Sequence, residues 1–413
     1  MRPGINCLFR LCLLFLVALP GSAHAFYEQD SENGSIEMRG LLRGAGLISN
    51  NPDAPLLYSK RNVSGIAGSA RLMVQATHRD GFSFEMHAVQ NYVPTLLQTG
   101  GSRFAQTQGV ERSDVLDWSF DQRRAHLFLD RLNLQYASDR FVLKAGRQPV
   151  NLAATFYFTP NDFFAPFAAQ TFFRSYKPGV DAVRADVQFG ELSQLSLISV
   201  LGYSAQATGD NGWSNRPDSS RNSYLARAST VAGDFELALL AGSIRKDRVI
   251  GGDFQGEFFE WLGVRGEGHI NFPDAPLAKR TVEFALGLEH RWENTFTARV
   301  EQFYHGGGVS SKGGYSLQAL STNSSSPYLA RNYTAAGASY EFTPLLTGDV
   351  LALHNWVDGS SLIALYALYS LSDESEMAVS ANLPVGKAPA GLTLQSEFGT
   401  YPASLNIEFR SYF

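Results

Sequence analysis

The sequence contains two cysteines, Cys7 and Cys12, both within its first twelve residues. Past them no thiol remains for a disulfide, a thiolate metal site or a C-x-x-C-H haem attachment. Basic charge is also scarce: 34 Lys and Arg stand against 39 Asp and Glu, a net charge of −5, which argues against nucleic acid as a partner. Long apolar runs are missing. The run from Leu11 to Leu19 falls well short of the ~20 residues a spanning helix needs, and nothing after residue 25 is apolar enough, so a helical membrane protein is excluded. Histidines at 78, 87, 126, 269, 290, 305 and 354 lack metal-ligand spacing, and no nucleophile motif stands out. No catalytic residue, cofactor or metal is therefore expected, and an enzyme is not the reading.

The short apolar run has a context. Arg2 and Arg10 lie before it and Ala23-His24-Ala25 after it, the pattern of a secretory signal with a small-residue cleavage site. Residues 1–25 are expected to be removed, leaving 26–413 as one domain; with no Cys at the cleavage point, a lipoprotein anchor is not expected. Removal takes two arginines and no acid, so the mature chain is more acidic still.

What the sequence has in quantity is alternation. In TVEFALGLEHRW, Val282, Phe284, Leu286, Leu288 and Trp292 face one way while Thr281, Glu283, Gly287, Glu289 and Arg291 face the other. TFTARVEQFYH repeats the pattern, and so does the final SLNIEFRSYF, where Leu405, Ile407, Phe409 and Phe413 oppose Asn406, Glu408 and Arg410. Segments of about ten such residues are the signature of a transmembrane barrel. The connectors are unequal. Tight links at HRDG, ASD, FGE, AGD, EFFE, RWEN, TPL and SDES alternate with longer ones near 48–64, 94–123, 149–177, 204–221, 306–329 and 386–402. That is how barrels separate periplasmic turns from outer loops.

Counting back from Phe413 and forward from residue 35 predicts strands near 35–47, 65–78, 81–93, 124–137, 139–148, 178–189, 191–203, 222–233, 234–246, 249–257, 260–270, 280–291, 294–305, 330–343, 345–356, 361–372, 375–385 and 403–413. The fold class is then all-β: an antiparallel up-and-down transmembrane barrel of eighteen strands, with sixteen as the alternative because 249–257 and 345–356 are weakly patterned. The last strand must pair with the first to remove the sheet edge, since an unpaired backbone group in lipid costs several kcal/mol.

The polar face names the lining: Glu37, Arg39, Arg43, Arg131, Asn133, Gln135, Arg184, Asp186, Arg265, Glu267, Glu283, Glu289, Arg299, Glu301, Glu408 and Arg410. Acid and base are interleaved, so the wall is expected to be hydrated and of mixed charge, with selectivity left to a local narrowing. As a ladder of salt bridges between strands, the same residues would touch no solute. The candidate narrowing is GRQPVNLAATFYFTPNDFFAPFAAQTFFRSYKPG, residues 146–179, whose seven Phe and two Tyr are too apolar for a solvated loop. Folded inward, near 149–177, it would bring Arg147, Asn161, Asp162, Arg174 and Lys177 to the lumen. Those five, with Arg131, Arg184, Asp186, Arg265 and Glu267, are the predicted pore-lining set. The other placement is an aromatic belt facing lipid, although such belts favour Tyr and Trp over Phe.

These features together resemble porin-type barrels. The terminal Phe of an alternating strand resembles the signal read by the barrel-assembly machinery, the third long connector resembles the constriction loop of general porins, and GRQPVNL…TPNDFFAPF with GVDAVRAD is similar in style to eighteen-stranded alginate-export-type channels. The resemblance implies a Gram-negative outer-membrane location amid lipid and lipopolysaccharide, and passive diffusion of small hydrophilic solutes or ions; it implies no substrate. The segment before the first strand is too short for a plug domain. A substrate-specific export channel and a sheath around a partner such as a multihaem cytochrome are the alternatives, and a homo-oligomer stays open.

Overall fold

The computed structural model describes residues 26–93, 111–120, 124–204, 216–316 and 328–413. The expected signal (1–25) and most of the connector near 94–123 lie outside the described residues.

The strands in chain order are β1 (Tyr27–Ser31), β2 (Gly34–Asn50), β3 (Asn62–His78), β4 (Phe82–Tyr92), β5 (Asp117–Phe120), β6 (Ala125–Ala137), β7 (Phe141–Gln148), β8 (Val180–Phe189), β9 (Ser193–Val200) and β10 (Ser223–Ala232). They continue as β11 (Phe235–Ile244), β12 (Asp247–Phe258), β13 (Leu262–Phe272), β14 (Thr281–Arg291), β15 (Thr297–His305), β16 (Asn332–Thr343), β17 (Leu346–Asn355), β18 (Ser361–Ser372), β19 (Ser375–Val385) and β20 (Ala403–Tyr412). Each pairs antiparallel with its neighbour, β4 passes directly to β6, and β20 returns to β2, closing an 18-strand barrel. The expected strands are all present, including the two weakly patterned ones.

Two short strands that alternation did not reveal, β1 and β5, patch the ends of this ring. Where β20 stops at Tyr412, opposite Leu41, β1 takes over the same side of β2 and pairs as far as Tyr27↔Met38. Phe26 then packs on Phe413 with ring centroids 5.8 Å apart. Likewise β5 covers Ala125–Phe128 of β6, above the point where β7 ends. In both places backbone groups that would have been unpaired gain a partner.

The break in the long-short rhythm near 249 has a local cause. β11 and β12 are joined by Arg245 and Lys246 alone, both with positive φ (50° and 86°), a two-residue hairpin turn that agrees with the short link left between the expected strands 234–246 and 249–257. On the opposite rim the AGD link turns on Gly233 at φ 62°, a left-handed position that glycine takes without steric cost.

The outward residues of the strands, among them Leu239, Ile250, Leu286, Val300, Leu365 and Ile407, are exposed as a lipid-facing surface requires. Beside the tight turns Phe258 packs on Phe259, and ring contacts run from Trp261 through His290, Trp292, Phe296 and Tyr340 to Phe342, part of an aromatic girdle. No described helix is long and apolar enough to cross a membrane, which says nothing about strands.

Candidate functional site

After β7 the chain does not turn straight into β8. Residues 149–179 cross the ring and lie on its inner wall, held first by two carboxylates. Glu267 of β13 accepts hydrogen bonds from the backbone N–H of Ala154, of Thr155 (2.9 Å) and of Asn161 (2.9 Å). Glu301 of β15 accepts from Phe156 (2.5 Å), Tyr157 (2.8 Å) and Phe158 (3.0 Å). A segment without secondary structure has unpaired amides, and two inward carboxylates satisfy six of them. β15 and β16 lie across the ring from β7 and β8, and there Tyr157 rests on Gly337, where a Cβ would run into its hydroxyl.

The rings of the segment find the wall's arginines. Phe156 lies under Arg265 (3.7 Å to the ring centroid) and Arg299 (4.4 Å). Phe173 meets Arg410 (4.0 Å) and Arg43 (4.7 Å), and Tyr176 meets Arg71 (4.5 Å). Such contacts are each worth ~0.5–2 kcal/mol, more where water is excluded. Apolar contacts complete the mooring: Phe158 stacks on Phe303 at 4.9 Å, and Phe172 on Tyr366 at 4.8 Å. Among the described rings, these face the lumen wall.

The ten predicted pore-lining residues divide by this geometry. Arg147 does not face open space: it is 2% exposed, pairs with Asp181 (2.7 Å) and donates to the carbonyls of Leu129 (2.9 Å) and Ser113 (2.8 Å), fastening the root of the segment. Asn161 is likewise fully buried, donating to Gly252 O (3.0 Å). Glu267 is occupied by the three amides. Arg174 staples the segment to itself through the carbonyls of Thr171 (2.7 Å), Ala169 (2.8 Å) and Phe156, and burial lowers its pKa. Asp162 pairs with Lys177, and burial raises the Asp162 carboxyl above its ordinary value although both cations oppose this. Arg131 shares Glu85 (2.7 Å) with Lys144 (3.0 Å), and Arg184 pairs with Asp186 (2.9 Å).

Beside the segment remains a recess of about 460 Å³ whose charged lining is Arg131, Arg174, Lys177, Arg184 and Arg265 against Asp162 alone. The wall carries both signs of charge, but the side chains lining this recess are mostly cationic, because Glu85 and Asp186, the partners of Arg131 and Arg184, lie outside the lining and Glu267 and Glu301 face the segment's amides. Three charged groups of the inner wall, outside the recess's own lining, were not assigned from sequence: Glu85, Arg71 and Asp130. Asp130 is 2% exposed and accepts from Arg71 (2.8 Å), Arg112 (3.1 Å) and Gly179 N (3.4 Å), tying the return of the segment to β6. Their signal was weak because β3 carries Met73 and small residues on its inner face, and β6 interposes a bulge opposite His87/Ala88 that shifts the alternation at Asp130.

No family model and no curated protein matches the sequence. Among solved structures the chain is similar to OccAB3 of Acinetobacter baumannii, with a TM-score of 0.56 and 11% identity over 92% of this chain and 99% of that one. It is similar also to OccAB4 of the same organism (0.56, 10%, 92% and 99%) and to OccK11 of Pseudomonas aeruginosa (0.54, 9%, 92% and 96%). At such identities the likeness is one of fold, that of a closed porin-type barrel of eighteen strands.

Proposed function

We propose that the protein is a channel of the Gram-negative outer membrane through which small hydrophilic solutes diffuse passively, with anions favoured. The barrel size supports an aqueous lumen, since eighteen strands leave more room than side chains fill. The observation that carries the reading is the recess beside residues 149–179, whose lining holds five cationic side chains and one carboxylate, the partners Glu85 and Asp186 of two of them lying behind it. Charges lining a narrow path select the ion that passes it, by the field they set up at close range. Transport of this kind needs no cofactor. A barrel sheathing a protein partner is the weaker reading, because a segment moored to both walls of the lumen stands in the partner's way.

The test is single-channel conductance of the mature protein in a planar bilayer, with the reversal potential under a KCl gradient. A steady conductance with chloride preferred over potassium is expected, and Arg184→Glu with Arg265→Glu should move the reversal potential toward cation preference. A folded barrel without conductance would sink the channel reading. Conductance with potassium preferred would sink the anion preference alone.

A further inference from the structure

The tip of the inward segment roofs a second recess, of about 220 Å³, against β18, β19, β20 and β2. Here the guanidiniums and carboxylates form one closed cluster, with Glu408 in the lining and Glu376 behind it. Glu408 accepts from Arg43 (2.8 Å) and Arg410 (2.5 Å), and Arg410 also pairs with Glu376 (3.0 Å). Two guanidiniums are matched by two carboxylates, and their remaining faces are covered by Phe173. Neither an anion nor a cation finds an unmatched charge there.

What is left to a solute is uncharged and two-sided. Ser380 and Asn406 are directly paired in the β19/β20 register, Asn382 and Ser404 pair on the next inward row, and Gln170 comes down from the segment. The side chains of Ser380, Asn406 and Gln170 make no hydrogen bond to a described residue. Each amide or hydroxyl both donates and accepts. A carboxylate or phosphate needs donors only and an ammonium needs acceptors only, whereas a sugar hydroxyl needs both. The stacked Phe172–Tyr366 pair, with rings 10° from parallel, adds an apolar flank suited to the C–H face of a sugar ring. At ~30 Å³ per water the recess has room for about seven waters, the scale of one monosaccharide.

From this juxtaposition we infer that the recess is a subsite for a neutral polyhydroxylated solute of monosaccharide size, separate from the cationic recess. The inference rests on the channel reading for its role in transport, but binding is measured independently of it. Saturation-transfer NMR of D-glucose with the detergent-folded mature protein reads binding directly. Transfer to the sugar ring protons is expected in the wild type, with Asn406→Leu and Ser380→Val each weakening affinity at least tenfold. Both variants are checked for the heat-modifiable mobility of a folded barrel, and each serves if the other misfolds. In the bilayer, glucose should interrupt the wild-type current, and Asn406→Leu should abolish this while keeping conductance within twofold and reversal potential unchanged. Absence of transfer in the wild type, or equal transfer in both folded variants, overturns the subsite. Transfer without conductance would retain the subsite and fail the channel reading.

Discussion

Glu301 is the residue whose removal tests the mooring of residues 149–179 most directly. Its carboxylate is fully buried and its two oxygens accept three consecutive amides, at 2.5, 2.8 and 3.0 Å. Hydrogen bonds to a charged group contribute ~1.5–3 kcal/mol each, and a buried N–H left without a partner costs ~1–3 kcal/mol. Glu301→Gln keeps one carbonyl oxygen and turns an NH2 toward an N–H, so at least one bond is lost and one amide orphaned, about 3 kcal/mol. Glu301→Ala loses all three, about 5 kcal/mol allowing for non-additivity. Glu267 and the arginine–ring contacts hold the segment elsewhere, so the barrel persists and only the stretch around 156–158 opens. At ~1.4 kcal/mol per decade, 3 kcal/mol is about a hundredfold gain in the opened population. Hydrogen exchange followed by mass spectrometry on a peptide spanning Phe156–Phe158 should therefore accelerate about a hundredfold in Glu301→Gln and more in Glu301→Ala. In the bilayer, open-channel noise should rise in the same order. Unchanged exchange in a folded Glu301→Ala barrel would mean that the carboxylate does not hold these amides, and the mooring account would fail.

Three further outcomes follow from local geometry. Phe413 lies over Gly40, where a Cβ would run into its ring, while the two backbones exchange hydrogen bonds of 2.5 and 3.1 Å; Gly40→Val should displace the ring and lower the yield of folded barrel in a refolding assay, whereas Gly44→Val, with open space at its Cβ, should not. Asp130→Ala removes the buried carboxylate that Arg71 and Arg112 share, leaving Arg112 only its longer pair with Asp117 (3.6 Å) among the acids named, and should cost ~3 kcal/mol, read as a lower thermal midpoint in detergent. At the turn between β12 and β13, Phe259 and Glu260 both take positive φ (57° and 61°), so Phe259→Asn with Glu260→Gly should relieve ~1–2 kcal/mol of strain and raise the urea midpoint.

Strand number and order were legible because they rest on period-two patterning and on turn residues, both local. TVEFALGLEHRW announces β14 without reference to anything else in the chain. β1 and β5 were not legible for the opposite reason: YEQDS and DWSF are too short to show a period, and they form because β2 outruns β20 and β6 outruns β7. A short link between β11 and β12 was legible, but its left-handed turn at Arg245-Lys246 was not, since neither residue favours that backbone and the hairpin comes from ten registered pairs between the strands. The inner face was readable wherever charge alternated cleanly, as at Arg265 and Glu267. At Asp130, a one-residue shift made the pattern misleading.

The role of each lumen residue is a different matter, because it depends on which partner reaches it first. Read along a strand, Glu267 and Glu301 are two acids of a mixed-charge wall, equivalent to Glu289. In space their oxygens are taken up by six amides of the crossing segment, while Glu289 pairs with Arg299 and, at 4.0 Å, Arg265. The arginines divide in the same manner: Arg43 and Arg410 are neutralised by Glu408 and capped by Phe173, whereas Arg131 and Arg184 keep a side open to the recess beside the segment. A wall of both signs thus presents mostly cationic side chains to one recess and a closed Arg–Glu cluster to the other. The inserted segment does this mainly with backbone N–H groups and aromatic faces, neither of which is counted in a tally of charge along the chain.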